Sequence, residues 1–203
     1  MRVIAGTYRS RILKSLKGLA LRPTSDRLRE TLFNVLAPNI AGSRFVDLFA
    51  GTGAIGIEAL SRGAAEVVFI ENHALAVTLI RRNLESLGIA TGATVLAVDA
   101  LRGLAMLASR KKQAEPGYDY IFLDPPYSAA QDYARVLEFL GSADLLAPGG
   151  IVIAEHRRNF NLCEEAGALR RFRVLKQGDA ALSFYRRRGD AGGKTNGENN
   201  SAE

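Results

Sequence analysis

The stretch "VDLFAGTGAIGIEAL", residues 46–60, decides the fold. Together with Arg44 and Phe45 it begins as a short apolar run, then places Gly51, Gly53 and Gly56 in a G-x-G-x-x-G spacing, then turns to helical periodicity. Glycines between a strand and a helix allow a tight turn and let a ligand approach the backbone closely. Twenty residues after Gly51, Glu71 ends the next apolar run, "EVVFIE" (66–71), where its carboxylate can accept hydrogen bonds from both hydroxyls of a ribose. A lone glycine pattern is weak evidence. Strand, glycines, helix, strand and terminal acid in register are far more specific.

Working outward, "RFVDLF" (44–49), "EVVFIE" (66–71), "ATVLAV" (93–98), "YDYIFL" (118–123) and "GIVIAE" (150–155) read as buried strands. Amphipathic stretches at 54–62, 73–87, 100–110 and 131–140 alternate with them; in 73–87, Leu75, Leu79, Leu84 and Leu87 keep near-helical spacing, and Gly88 supplies the C-terminal cap. This alternation predicts an α/β chain with a doubly wound, mostly parallel sheet. "RFRVLK" (171–176) and "AALSFYRR" (180–187), joined across "QGD", add an antiparallel hairpin.

Residues 1–24 are expected to be an N-terminal hairpin extension, with the hairpin over 3–16. The main domain is expected over 25–188, opening on a helix at 25–36 with Thr24 or Ser25 as cap and Leu28, Leu32, Val35 and Leu36 on its inner face. Residues 189–203 contain no large apolar side chain and are expected to be a disordered tail.

The glycine motif fits either a nicotinamide dinucleotide or S-adenosylmethionine. Asp47 and Asp99 stand at carboxyl ends of strands, where open α/β sheets bind ligands; Asp99, before Ala100 and Leu101, equally suits a helix cap. "LDPPYS" (123–128) narrows the chemistry. Pro125 and Pro126 cannot enter a central ladder, so they end the fourth strand and hold a rigid extended backbone. Asp124 and a nearby carbonyl can then accept both hydrogens of an exocyclic amine, while Tyr127 offers a ring on which a base can stack. Such an amine is a poor nucleophile until hydrogen bonds favour a pyramidal nitrogen carrying positive charge.

Composition bounds the setting. The chain has 203 residues, 47% hydrophobic and 24% charged, as an ordinary soluble domain does. No signal peptide and no membrane-length apolar run is visible, and the single Cys163 fits a reducing, cytoplasmic compartment. Two histidines and one cysteine supply no zinc ligand set, so no metal is expected. Cys163 reads as a buried or semi-buried apolar residue, His73 as a partly exposed residue opening a helix, and His156 as open to either environment. Residues 1–36 hold eight Lys/Arg against Asp26 and Glu30, which equals the +6 of the whole chain, and a second basic block runs from Arg170 to Arg188. Such blocks suit a polyanion; they equally suit a solvated face.

"IAGTYRSRIL", "RPTSDRLRETLFNVL", "VDLFAGTGAIGIEALSRGA" and "FLDPPY" together resemble the bacterial RsmD-type methyltransferases over residues 1–187. That family modifies a guanine N2 in the 16S ribosomal RNA of the small subunit. The resemblance implies a seven-stranded Rossmann-like methyltransferase sheet and S-adenosyl-L-methionine as cofactor. It further implies that Gly51 and Gly53, with Phe49 and Thr52, cradle the methionine part, with Asp47 near the amino group. Glu71 with Asn72 takes the ribose, Asp99 with Ala100 lies by the adenine, and Asp124, Pro125, Pro126 and Tyr127 hold the target amine. Thr24 would close over the cofactor, and Arg9, Arg11, Lys14, Arg22 and Arg27 would contact RNA.

The expected reaction is therefore methyl transfer to guanine N2 in 16S ribosomal RNA within a small-subunit particle, by a monomer. A DNA or RNA adenine N6-methyltransferase shares "DPPY" but needs a recognition region that this chain has no room for. A non-catalytic RNA-binding assembly factor would keep the basic N-terminus and lose the dependence on Asp124.

Overall fold

The computed structural model describes residues 1–15, 25–111, 115–126 and 130–190. Arg22, Thr24, Tyr127 and the tail beyond Asp190 lie outside them. The elements run α1 (Asp26–Leu36), β1 (Arg44–Leu48), α2 (Ala54–Ser61), β2 (Glu66–Ile70), α3 (Ala74–Ser86), β3 (Ala93–Leu96), α4 (Ala100–Arg110), β4 (Tyr118–Leu123), α5 (Ala130–Ser142), β5 (Leu146–Arg157), β6 (Glu165–Ala166), β7 (Leu169–Gln177) and β8 (Ala180–Arg187).

One eight-stranded sheet has the order β3-β2-β1-β4-β5-β8-β7-β6. Strands β1 to β5 pair in parallel and β6 to β8 join antiparallel. The mostly parallel sheet with its C-terminal hairpin is the architecture the sequence implies. The strand count is eight rather than seven, because the two-residue β6 pairs with the start of β7. So short an element leaves no period to recognise.

Strand alternation divides the core between two faces. Phe45, Phe69, Tyr120, Phe122 and Phe184 pack with α1, α2 and α3 on one side. Val46, Leu48, Val68, Ile121, Leu123 and Tyr185 pack with α4 and α5 on the other. Both faces are covered, so the parallel strands are near-continuous apolar runs. Gly56 and Gly103 let α2 and α4 approach β2: a Cβ on Gly56 would lie 2.3 Å from the Phe69 ring, and one on Gly103 2.7 Å from Ile70.

Helix α1 is capped by Ser25, whose hydroxyl accepts the Leu28 N–H at 3.1 Å. It buries Leu28, Leu32, Phe33 and Leu36, and also Arg29, so Phe33 and Arg29 take inner positions while Val35 lies half out. Fully burying such an apolar side chain contributes about 1.5–3 kcal/mol. Gly88 follows α3 at φ 71°, as a C-terminal cap requires. Leu75, placed on the inner face by its spacing, is instead 56% exposed, because it lies in the first turn of α3 beyond the edge of the packed face.

The hairpin expected over 3–16 is a narrow loop closed by one antiparallel bridge, Arg2 to Ile12. Among the described residues, five of its backbone N–H groups bond within the loop and five bond to the body of the protein. Ile4 and Ala5 donate their N–H groups to Glu58 at 2.8 and 3.0 Å, Thr7 donates to the Ser61 carbonyl at 2.8 Å, and Tyr8 donates to the Ser61 hydroxyl at 3.0 Å. Gly6 sits at φ 83° against Ser61, where any Cβ would lie 1.7 Å from the Ser61 carbonyl oxygen. Val3 and Leu13 are buried in the α1–α3 core.

Candidate active site

Register places the site. Leu48 pairs with Leu123, so β1 and β4 end side by side, one strand spacing of about 4.8 Å apart. From there the chain leaves β1 through Phe49 into the glycine turn and leaves β4 through Asp124 into the two prolines. The sheet order changes direction at this pair, with β2 and β3 on one side and β5 on the other. That is the position at which open α/β sheets bind ligands.

The turn after β1 is held from several directions. Phe49 adopts φ 58°, Gly51 54° and Gly53 77°, and Gly53 is the N-cap of α2. Gly53 donates its N–H to the Ala50 carbonyl at 2.7 Å, and Gly51 donates to Oε2 of Glu71 at 2.9 Å. Oε1 of Glu71 accepts the His73 N–H at 2.8 Å. Each carboxylate oxygen has two acceptor positions, so Glu71 retains capacity for a bound diol after ordering the turn. Asp47, 2% exposed, accepts the Gly56 N–H at 2.9 Å beneath the same turn. Burial pushes its pKa up to about 8, partly offset by the Gly56 N–H, with the nearby Glu71 charge adding to the rise.

A cleft of about 450 Å³ opens at these strand ends. Phe49, Glu71, Asn72, Asp99 and Ala100 line it, together with Asp132, Arg135 and Val136 of α5 and apolar Ile70, Val98 and Leu101. The size suits a nucleoside-sized ligand. Asp99 accepts the Arg102 N–H at 3.0 Å and so caps α4 while lining the cleft. The contribution of α5 is not legible in the sequence: Asp132 and Arg135 read as an ordinary solvated helix face, and only the tertiary position of α5 brings them to the cleft.

Asp124 is partly buried, Pro125 buried and Pro126 exposed at the end of β4. The N-terminal basic residues divide. Lys14 lies by the glycine turn: Asn83, fully buried on α3, accepts the Lys14 N–H at 2.9 Å and donates to the carbonyls of Lys14 at 3.2 Å and Thr52 at 3.0 Å. Residues 6–9 instead dock on the C-terminal end of α2, and Arg11 donates to the Ser86 carbonyl at the last turn of α3. Arg9 therefore sits by the C-terminal end of α2, while Arg11 reaches Ser86, one helical turn beyond Asn83. Arg27 is exposed in the first turn of α1.

His73 is exposed as the N-cap of α3, in line with its expected place. His156 is buried: Nδ1 lies 2.8 Å from the Arg157 carbonyl and Nε2 2.9 Å from the Ser183 hydroxyl. That pairing assigns the proton to Nδ1, and burial lowers its pKa. Cys163, expected to be buried or semi-buried, is exposed; Leu162 beside it takes the core position instead.

A doubly wound sheet, a glycine turn locked to a buried acid at the end of β2, and an Asp-Pro-Pro turn at the adjacent strand end define a class I methyltransferase, with S-adenosyl-L-methionine as cofactor. The chain belongs to the family described as "Conserved hypothetical protein 95", the RsmD family, whose model matches residues 1–186. It is 38% identical over 189 residues to "Putative rRNA methyltransferase YlbH" of Bacillus subtilis (strain 168), covering 93% of this chain and 100% of that one. It is 41% identical over 189 residues to "Ribosomal RNA small subunit methyltransferase D" of Haemophilus influenzae, covering 92% of each. The solved structure titled "Putative methyltransferase yhhF from Escherichia coli" superposes with a TM-score of 0.76 at 31% identity, covering 92% of this chain and 97% of that one.

Proposed function

We propose that this protein methylates the N2 amine of a guanine in 16S ribosomal RNA, acting as a cytoplasmic monomer on a small-subunit particle. The observation that carries the proposal is the pairing of Leu48 with Leu123, which sets the Asp124-Pro125-Pro126 turn directly beside the glycine turn of the cofactor cleft. The relatives named for ribosomal RNA methylation match along nearly their whole length.

When bound, the cofactor supplies an electrophilic methyl group on a sulfonium. The protein's residues do the rest. Glu71 takes the ribose hydroxyls with Asn72 beside it, Asp99 and Ala100 flank the adenine, and Phe49, Gly51, Thr52 and Gly53 shape the wall for the methionine part above Asp47. Asp124 and the carbonyls of the proline turn accept the hydrogens of the extruded amine, localising the nitrogen lone pair, and Tyr127 stacks on the base. Once methylated, the nitrogen would carry positive charge and release its proton to water by way of Asp124, so no strong base is needed. Lys14 contacts RNA beside the glycine turn, Arg9, Arg11, Arg22 and Arg27 extend that contact, and Thr24 closes over the cofactor.

The test is methyl transfer from labelled cofactor to small-subunit particles from cells lacking the gene, comparing wild type with Asp124→Ala. Loss of a charge-accepting hydrogen bond at the reacting centre lowers turnover by about 10²–10³-fold. Cofactor and particle affinity should stay within about threefold. Undiminished transfer by Asp124→Ala would refute the assignment.

A further inference from the structure

The outer end of the sheet carries a surface that the site above does not use. Strand β7 pairs with β8 along its length, but with β6 only at Leu169 and Arg170. Arg171 still donates its N–H to the Glu164 carbonyl at 2.7 Å. From Phe172 to Gln177, no described residue pairs with its outer edge. Open edges of this kind are normally blunted or covered.

The cations here fall into two groups. Arg170 and Arg188 share Glu165, Arg171 pairs with Glu164, and Arg187 pairs with Asp144, which also holds Lys111. Arg173, Lys176 and Arg186 form no ion pair with any described residue. Two of them are laid on rings: Arg186 lies 4.9 Å over Phe172, and Arg173 6.0 Å over Phe184. Between these cations Phe172 and Val174 are each 38% exposed. A strand defended only against aggregation needs the charges but no exposed ring among them. Unneutralised guanidiniums interleaved with an exposed aromatic are instead the chemistry that engages a phosphate backbone and an unstacked base.

Position supports the same partner. Leu123, Ala154, Ser183 and Val174 form one row across the sheet, so Val174 lies three strand spacings, about 14 Å, from the end of β4. Lys176, level with Ala181 and His156, stands two residues nearer the catalytic edge. The strand order puts this edge and the Lys14 region on opposite sides of Asp124. An RNA whose target nucleotide enters at Asp124 can therefore lie against both.

We propose that the open edge of β7, through Arg173, Lys176, Arg186 and Phe172, is a second RNA-binding surface that grips the backbone of the substrate RNA flanking the target nucleotide. The inference rests on RNA being the substrate.

The test is a triple variant, Arg173→Gln, Lys176→Gln and Arg186→Gln, beside a control that removes the same charge elsewhere, Arg81→Gln, Arg82→Gln and Arg110→Gln. Thermal melting and cofactor binding establish that both are folded. Steady-state transfer to unmethylated small-subunit particles, and binding to transcribed 16S RNA at several salt concentrations, are then measured. The edge triple should raise KM for particles at least about tenfold, with kcat within about twofold and cofactor KM unchanged. Its salt slope on transcribed RNA should fall by about 2–3, roughly one for each phosphate that is no longer neutralised. Phe172→Ser alone should raise KM for particles severalfold without changing that slope. Equal effects from the two triples, or none from the edge triple, would overturn the proposal. Weaker binding to particles with unchanged binding to bare RNA would overturn it in favour of a protein partner. A wild-type enzyme inactive on particles and on bare RNA would instead refute the function proposed above, and this inference with it.

Discussion

Gly51 and Glu71 are joined directly where β1 and β2 end, the Gly51 N–H donating to Oε2 of Glu71 at 2.9 Å. One side chain therefore orders the glycine turn and lines the cleft beside it. Both tasks fall to a residue that is almost fully buried.

Replacing Glu71 with Ala should thus cost more than a ribose contact. It leaves the Gly51 and His73 N–H groups without their acceptor and removes the acceptors for the diol. Hydrogen bonds to a charged group contribute about 1.5–3 kcal/mol each. Cofactor affinity, measured by calorimetry, should fall at least about tenfold, with greater protease sensitivity in the glycine turn. Unchanged affinity would contradict the role given to Glu71.

The contact of α2 with β2 offers a purely steric prediction. In Gly56→Ala the new methyl meets Phe69 at 2.3 Å and Val67 at 2.8 Å, and neither partner has space to retreat. Overpacking of this kind costs about 1–3 kcal/mol. Urea denaturation should show that loss, together with weaker cofactor binding because α2 carries the turn at its N-terminus.

Asp47 predicts a pH dependence. Its folded pKa is raised to about 8 from an ordinary carboxyl value, so between about pH 4 and pH 8 the unfolded chain ionises while the folded chain keeps the proton. The folded state binds more protons in this window, and stability falls as pH rises through it, levelling above about pH 8. Asp47→Asn should remove that component. Its denaturation midpoint should be less pH-dependent across the window and should exceed that of wild type at the upper end. A wild-type profile unaltered by the substitution would contradict the assignment.

Beneath the N-terminal loop, Glu58 is the shared acceptor. It takes the N–H groups of Ile4 and Ala5, bonds Arg62 at 2.8 Å, and lies 3.8 Å from Nε of the fully buried Arg29. Burial pulls the Arg29 guanidinium below its ordinary pKa, while Glu58 and Asp26 act in the opposite direction. Glu58→Ala leaves that guanidinium without its buried counter-charge. A loss of about 3–5 kcal/mol is expected, measured by thermal or chemical unfolding.

The parts of this molecule legible in the sequence are those governed by local periodicity. Each of three apolar runs of the parallel sheet carries a chemistry-bearing residue at or near its end, Asp47, Glu71 or Asp124, because strand termini are where such a sheet meets its ligand. What escapes depends on tertiary company. Arg29 and Glu58 look like surface charges until the N-terminal loop folds over them. Asp132 and Arg135 reach the cleft only because α5 crosses it. Leu75 carries the helical spacing of its neighbours but stands at the exposed end of α3. Arg9 belongs to the same loop as Lys14, yet the docking of residues 6–9 on the C-terminal end of α2 sets it apart from the glycine turn.

The proposed chemistry turns on which nitrogen accepts the methyl group. The most direct measurement is digestion of labelled small-subunit RNA to nucleosides after transfer from radiolabelled cofactor to particles lacking the modification. All label should be found in N2-methylguanosine and should disappear with Asp124→Ala. Label in N6-methyladenosine, or particles left unlabelled by the wild-type enzyme under conditions where the cofactor binds, would contradict it.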